Sequence, residues 1–144
     1  LMAALAALEG ADIEAVDASP IITSDPIGPS RRRYANAVAL VASTLSPPEM
    51  LERLHAIEAT FGRRIGQRWS ARTLDLDILL WSGGVWSDST LIIPHPELAN
   101  RAFVLGPLRA IAPDWSHPLL GRTIRQLAAT LVQAKPVDRT ASAH

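Results

Sequence analysis

Residues 72–81 read RTLDLDILLW, placing Asp75 and Asp77 two positions apart in a run of leucine and isoleucine. In an extended chain, residues i and i+2 point to the same side. Both carboxylates therefore share one face, while Leu74, Leu76 and Ile78 share the other. Two carboxylates about 6–7 Å apart repel by roughly 2–3 kcal/mol at an effective dielectric of about 20. Burying either one unpaired costs more. The pair calls for positive charge, from arginine or from a divalent cation. Oxygen-only ligands favour Mg²⁺ or Mn²⁺ over zinc, and Mg²⁺ commonly takes one or two carboxylates plus substrate phosphates. These residues alone leave two readings open, a solvated acidic strand face and a metal site.

The flanking residues bear on that choice. No acidic residue lies between Glu58 and Asp75, whereas Arg63, Arg64, Arg68 and Arg72 all do. Guanidinium forks match phosphate oxygens, and arginines beside a carboxylate pair are common equipment for phosphoryl transfer. The alternative is a solvated surface whose arginines pair with the aspartates. Trp69 suits stacking on a planar ligand or a place in the core. Arg31–Arg33 read as a solvated loop. His95 stands between Pro94 and Pro96, which fix the local backbone and aim the imidazole in a defined direction. A phosphate or ribose contact and a structural hydrogen bond both fit it. His55, His95, His117 and His144 show no zinc-ligand spacing. The common nucleotide-binding loops, G-x-x-x-x-G-K-[ST] and G-x-G-x-x-G, are missing, and no serine stands in a recognisable nucleophile setting.

Several elements must position these residues. Residues 1–9 are strong helix formers ended by Gly10. Residues 13–24 mix β-branched residues with a proline and predict a bent or edge strand. A loop follows, and 34–44 predict a second strand pairing with the first. In SPPEMLERLHAIEATFG, Ser46 is the N-cap and prolines fill the first turn. Met50, Leu51, Leu54, Ile57 and Phe61 then recur at helical spacing, and Gly62 is the expected stop. The stretch 63–72 reads as irregular, 73–81 as a strand, SGG as a turn, and the region near 90–93 as a short strand. Residues 95–113 are helical in parts, TIRQLAATL is a terminal helix, and 135–144 is a tail expected to fray. This order predicts an α+β sandwich with a largely antiparallel sheet and helices packed on it.

At 144 residues and 48% hydrophobic content, the chain fits one domain with a real core. Fourteen basic residues balance fourteen acidic ones, which gives no global electrostatic case for nucleic acid or an anionic membrane. The absence of cysteine excludes disulfides and thiol-ligated metal and fits a reducing compartment. No apolar run approaches the roughly 20 residues of a membrane span. LMAALAALEG lacks a basic leader and reads as a helix rather than a signal peptide. The expected setting is soluble and cytoplasmic.

Taken together in order, DPIGP…YANAV, RWSARTLDLDILLW and IPHPELANRAFVLGPLRAIAPDW resemble the 6-hydroxymethyl-7,8-dihydropterin pyrophosphokinases of the folate pathway. The resemblance runs from about residue 5 to residue 131. It implies a ferredoxin-like α+β fold, and transfer of pyrophosphate from ATP to the pterin hydroxymethyl oxygen with two Mg²⁺ ions. By the same resemblance Asp75 and Asp77 bind the metals, with Asp77 also catalytic, and Arg63 and Arg72 close over the triphosphate. Glu58, Trp69, Ile78, Ile92, His95, Pro96 and Arg101 fall at ATP-side positions. Tyr34 and Phe103 match the aromatic pair flanking the pterin. Asn36 matches the amide that reads its edge, with Ser24 and Ile27 contributing backbone contacts. The implied partners are these two small molecules, with no nucleic acid and no membrane, and the implied state is a monomer.

The pattern departs from the family in places. Ser24–Asp25 replaces the usual threonine-proline, Ile65 stands where a basic residue often occurs, and one residue is missing before Tyr34 and another between Arg63 and Trp69. The sequence starts in the helix after the family's first strand and its Gly-Ser-Asn loop. The expectation is therefore a single domain over 1–144, N-terminally truncated relative to the family. Two alternatives follow. One is a non-catalytic remnant that binds pterin or nucleotide, or that needs a partner to complete its sheet. The other, from the aspartates alone, is a metal-dependent nucleotidyl- or glycosyl-transferase, against which Tyr34, Asn36 and Phe103 argue.

Overall fold

The computed structural model describes residues 2–24, 34–65 and 74–131. Two compact units emerge, one of Leu1–Ala15 with Val41–His95 and one of Val16–Leu40 with Pro96–His144. The elements are helices and short, mostly antiparallel strand pairs, so the predicted α+β class holds.

The first unit opens with α1 (Met2–Glu9). Gly10 follows it, and the Ala11 amide donates to the Leu8 carbonyl in a closing turn. Asp12 adopts a positive φ of 65°, a conformation Asp tolerates better than most residues. Its carbonyl accepts from Ser43 Oγ, and its carboxylate meets Arg53 at 3.5 Å. The long helix α2 (Pro47–Ile65) begins with the predicted cap as a reciprocal pair. The Ser46 amide donates to Glu49 Oε1 and the Glu49 amide to Ser46 Oγ. The Ser46 donors hold the Glu49 carboxyl below the usual carboxylate range, with Arg53 adding to the effect.

Gly62 does not stop α2 as expected, because the helix continues to Ile65. The apolar series Met50, Leu54, Ile57, Phe61 extends at the same spacing to position 65, and one interior glycine costs only about 1 kcal/mol. Leu54 and Ile57 join Leu8 and Ile13 in a buried cluster. Val41, Leu45, Met50, Phe61, Leu74, Leu76 and Ile78 pack against it. Strands β5 (Trp86–Ser87) and β6 (Ile92–Ile93) form an antiparallel pair. The preceding turn places the Gly84 amide on the Trp81 carbonyl, with Gly84 at φ 100°.

The predicted strand 13–24 is two strands, β1 (Glu14–Ala18) and β2 (Ile22–Ser24). Pro20 lacks the N–H a continuous ladder would need. Buried Ser19 takes up the break: its amide donates to the Val38 carbonyl, and its Oγ accepts from the Val38 amide. The predicted strand 34–44 divides to match, into β3 (Tyr34–Asn36) and β4 (Ala39–Ala42). β1 pairs with β4, and β2 pairs antiparallel with β3 in the register Ile22–Asn36, Thr23–Ala35, Ser24–Tyr34. The unit boundary falls within β1 and β4.

In the second unit, a 3₁₀ turn (Leu98–Asn100) leads into α3 (Ala102–Ile111), which contacts β2. A helix over 124–131, α4, is capped by reciprocal bonds between Thr123 and Gln126. Leu98, Leu105, Leu108, Ile124, Leu127 and Ala128 are buried. No helix among the described residues is long and apolar enough to cross a membrane.

Candidate active site

Residues 74–81 are not a strand in the ladder sense, contrary to expectation, since none carries strand pairing. Their side chains nevertheless alternate. Leu74, Leu76 and Ile78 are half-buried and packed on the first unit's core, while Asp75 and Asp77 are exposed. The apolar face packs the segment against the core, so period-2 alternation survives without strand partners. Ile78, expected on the ATP side, belongs to the packed face.

Two further contacts fix this segment. The Leu76 amide, between the two aspartates, donates to Glu58 Oε2 at 2.6 Å. The Leu79 carbonyl accepts from the His95 amide at 3.0 Å. His95 follows a cis Ile93–Pro94 bond, and its Nε2 lies 4.0 Å from Asp77 Oδ2. The His95 side chain is 24% exposed and that of Asp77 61%, so a proline-framed imidazole stands beside a solvent-facing carboxylate. Glu58, expected on the ATP side, accepts the Leu76 amide with one of its carboxylate oxygens. Arg63 lies in the last turn of α2 rather than in a loop, and its side chain is outside the described residues, as are residues Trp69 and Arg72.

Among the described residues, no group of three or more His, Cys, Asp or Glu is placed to hold a metal. Asp75 and Asp77 supply oxygen donors only, from one face, toward solvent. That donor set fits a hard cation completed by water and phosphate oxygens, and does not fit a closed zinc site.

One loop-closing cluster was not expected from the sequence. The Asp88 carboxylate accepts from Trp86 Nε1, from the Thr90 amide and hydroxyl, and from the Leu91 amide. These donors, the Trp86 indole first, hold its carboxyl at about 2. The cluster closes the β5–β6 loop, on whose second strand Ile92 stands 51% exposed. The D-S-T triplet at 88–90 was the available signal, since aspartate commonly bonds backbone amides two residues on.

The second unit carries the other group of predicted residues. Asn36 is half-buried on β3, and its buried Nδ2 has no hydrogen-bond partner among the described residues. A buried amide donor left unsatisfied is costly and calls for an acceptor from elsewhere. Phe103, in the first turn of α3, is exposed, and the Arg101 guanidinium carbon lies 5.9 Å from its ring centroid. Pro96 is exposed. Ser24 and Tyr34 are backbone partners across β2 and β3. Their side chains, and the whole of Ile27, lie outside the described residues.

A family model for 7,8-dihydro-6-hydroxymethylpterin-pyrophosphokinase matches residues 1–113. The chain belongs to that family. It is 42% identical over 126 residues to the 2-amino-4-hydroxy-6-hydroxymethyldihydropteridine pyrophosphokinase of Synechocystis sp., covering 88% of this chain and 64% of that protein. Against the Pseudomonas aeruginosa protein of the same name it is 44% identical over 115 residues, covering 79% of this chain and 70% of the relative. The Haemophilus influenzae protein of that name is 40% identical over 117 residues, covering 78% of this chain and 73% of its own length. The matched region of the Synechocystis relative is thus just under two thirds of its length. Asp75 and Asp77, predicted as metal ligands, and His95, predicted on the ATP side, fall in the first unit, and Asn36 and Phe103, predicted on the pterin side, fall in the second.

Proposed function

We propose that this chain transfers the terminal pyrophosphoryl group of ATP to 6-hydroxymethyl-7,8-dihydropterin, a step of folate biosynthesis. The hydroxymethyl oxygen bonds to the β-phosphorus, the bond from that phosphorus to the α,β-bridging oxygen breaks, and AMP leaves. The hydroxyl proton passes to Asp77 or to water. Asp75 and Asp77 would hold the two Mg²⁺ ions, which when bound would supply charge neutralisation to the triphosphate. His95, Arg101, Ile92 and Pro96 contact the nucleotide, while Arg63, Arg72 and Trp69 serve the triphosphate. On the pterin side, Tyr34 and Phe103 flank the ring, and Ser24 and Ile27 add backbone contacts. The Asn36 amide donates to an acceptor on the ring edge, which satisfies the Nδ2 that has no partner among the described residues.

The observation that carries this reading is the alternation of 74–78, with three apolar side chains anchored in the core and two carboxylates facing solvent. The face is too sparse to bind a metal by itself and is suited to metals that arrive with phosphate. The test is product analysis by ³¹P NMR after incubation with ATP, Mg²⁺ and the pterin. AMP and the pterin diphosphate are expected in equal amounts, with none formed in EDTA. Formation of ADP, or turnover without divalent metal, overturns the proposal.

A further inference from the structure

Residues 74–78 present carboxylates on one side and leucine or isoleucine on the other, yet none of residues 74–80 has a strand partner. Backbone amides need acceptors wherever they are removed from water. At Leu76, the residue between the two aspartates, that acceptor is a side chain. Glu58, 18 positions earlier on α2, is half-buried and takes the amide on Oε2 at 2.6 Å. Its helix also supplies Leu54 and Ile57 to the cluster under Leu74, Leu76 and Ile78. The acidic segment is therefore tied to α2 twice, by its apolar face and by one charge-assisted hydrogen bond at its midpoint.

We infer that Glu58 is a positioning residue, fixing the backbone at Leu76 so that Asp75 and Asp77 present their carboxylates together. This rests on the proposal that the two aspartates hold metal. Without the anchor, the Leu76 peptide is free to rotate and the two carboxylates no longer share one direction. The role differs from a nucleotide contact, since the oxygen concerned is already committed to the chain. It also separates charge from reach. Glutamine keeps a carbonyl acceptor at the same distance along the side chain. Aspartate keeps the charge but is one methylene too short.

The experiment uses the full chain with Glu58→Gln, Glu58→Asp and Glu58→Ala, and with Asp77→Ala as a reference. Two readouts are taken: amide hydrogen exchange at Leu76 without metal, and Mn²⁺ affinity by EPR with α,β-methylene-ATP present. Loss of a residue that orients metal ligands costs about 10- to 100-fold in metal affinity. Glu58→Ala and Glu58→Asp should each lose that much and should exchange the Leu76 amide faster. Glu58→Gln should stay within about tenfold of the parent affinity and keep the amide protected. Should Glu58→Ala not fold, the Asp and Gln pair makes the same comparison. If the Asp and Ala variants bind Mn²⁺ like the parent, or leave Leu76 protected, the inference falls. If Asp77→Ala also binds like the parent, the metal reading itself falls, and with it the role assigned to Glu58.

Discussion

Replacing Asp77 by alanine separates a metal ligand from a structural residue, because the two roles predict opposite patterns of loss. The side chain is 61% exposed, and His95 Nε2 lies 4.0 Å from its Oδ2. That contact is beyond hydrogen-bonding length and belongs with exposed pairs worth about 0–1 kcal/mol. Asp75 stands two residues away on the same face. At a separation of about 6–7 Å and a water-like dielectric, the repulsion removed with Asp77 is about 0.6 kcal/mol. This is well below the 2–3 kcal/mol expected for a partly buried pair, because both carboxylates face solvent. The two terms nearly cancel, so the metal-free melting temperature should move by no more than about 2 °C.

The effect on turnover should be far larger. A bound cation supplies several kcal/mol of stabilisation to the charge of a phosphoryl transition state. A loss of about 4 kcal/mol corresponds to about a 10³-fold fall in rate. The variant should therefore release AMP at least about 10³-fold more slowly. Its melting temperature should also fail to rise when Mg²⁺ and α,β-methylene-ATP are added together, as linkage requires of a protein that no longer binds them. Calorimetry and a discontinuous AMP assay on the same preparation decide the matter. A drop of more than about 5 °C in the metal-free protein, or activity within about tenfold of the parent, would refute the assignment of Asp77 as a ligand.

Two further predictions concern the frame around the site. A Cβ on Gly83 would overlap the Trp81 indole, which meets Trp86 edge-on at 6.0 Å between centroids and 83° between planes. Gly83→Ala should displace that ring, weaken the near-UV circular dichroism of the pair, and cost about 0.5–1.5 kcal/mol. An unchanged spectrum would refute the clash. Buried His117 accepts the Leu119 and Leu120 amides on Nδ1, at 3.2 and 3.1 Å, and burial pushes its pKa below the ordinary 6.5. The folded state then binds this proton less readily than the unfolded chain, so stability should fall as pH drops below about 6.5. The decline should level off below the folded value. Urea denaturation from pH 5 to 8 should show that slope, and His117→Asn should flatten it.

What could be read from the sequence follows the range of the interactions involved. The cap at Ser46–Glu49 is a bond between residues three apart, and the stop at Gly10 is closed by the Ala11 amide on Leu8. Gly62 has the same residue type as Gly10 but lies inside a continuing apolar series, and the amphipathic face outweighs the local preference. The break at Ser19–Pro20 followed from proline, yet what mends it is Val38, 19 residues away. The alternation of 74–78 told correctly which side chains face the core. It said nothing about pairing, because a two-residue period records burial and not the neighbour that completes a ladder.

The same division runs through the candidate site. The family was legible because the motifs around Asp75 and Asp77, His95 and Phe103 occur in its order. The means by which the carboxylates are held was not legible. The family resemblance put Glu58 on the ATP side and gave no sign that one of its oxygens takes the Leu76 amide. Asp88 drew no attention, although its carboxylate gathers four donors and closes the loop before Ile92. In both cases an acidic side chain substitutes for backbone pairing in a region of short or absent strands. Acidic residues in this chain thus stand in two settings, bonded to the chain's own donors or facing solvent. Glu58 faces an inward peptide and acts on the fold, while Asp75 and Asp77 face solvent, where a cation and its phosphates can reach them.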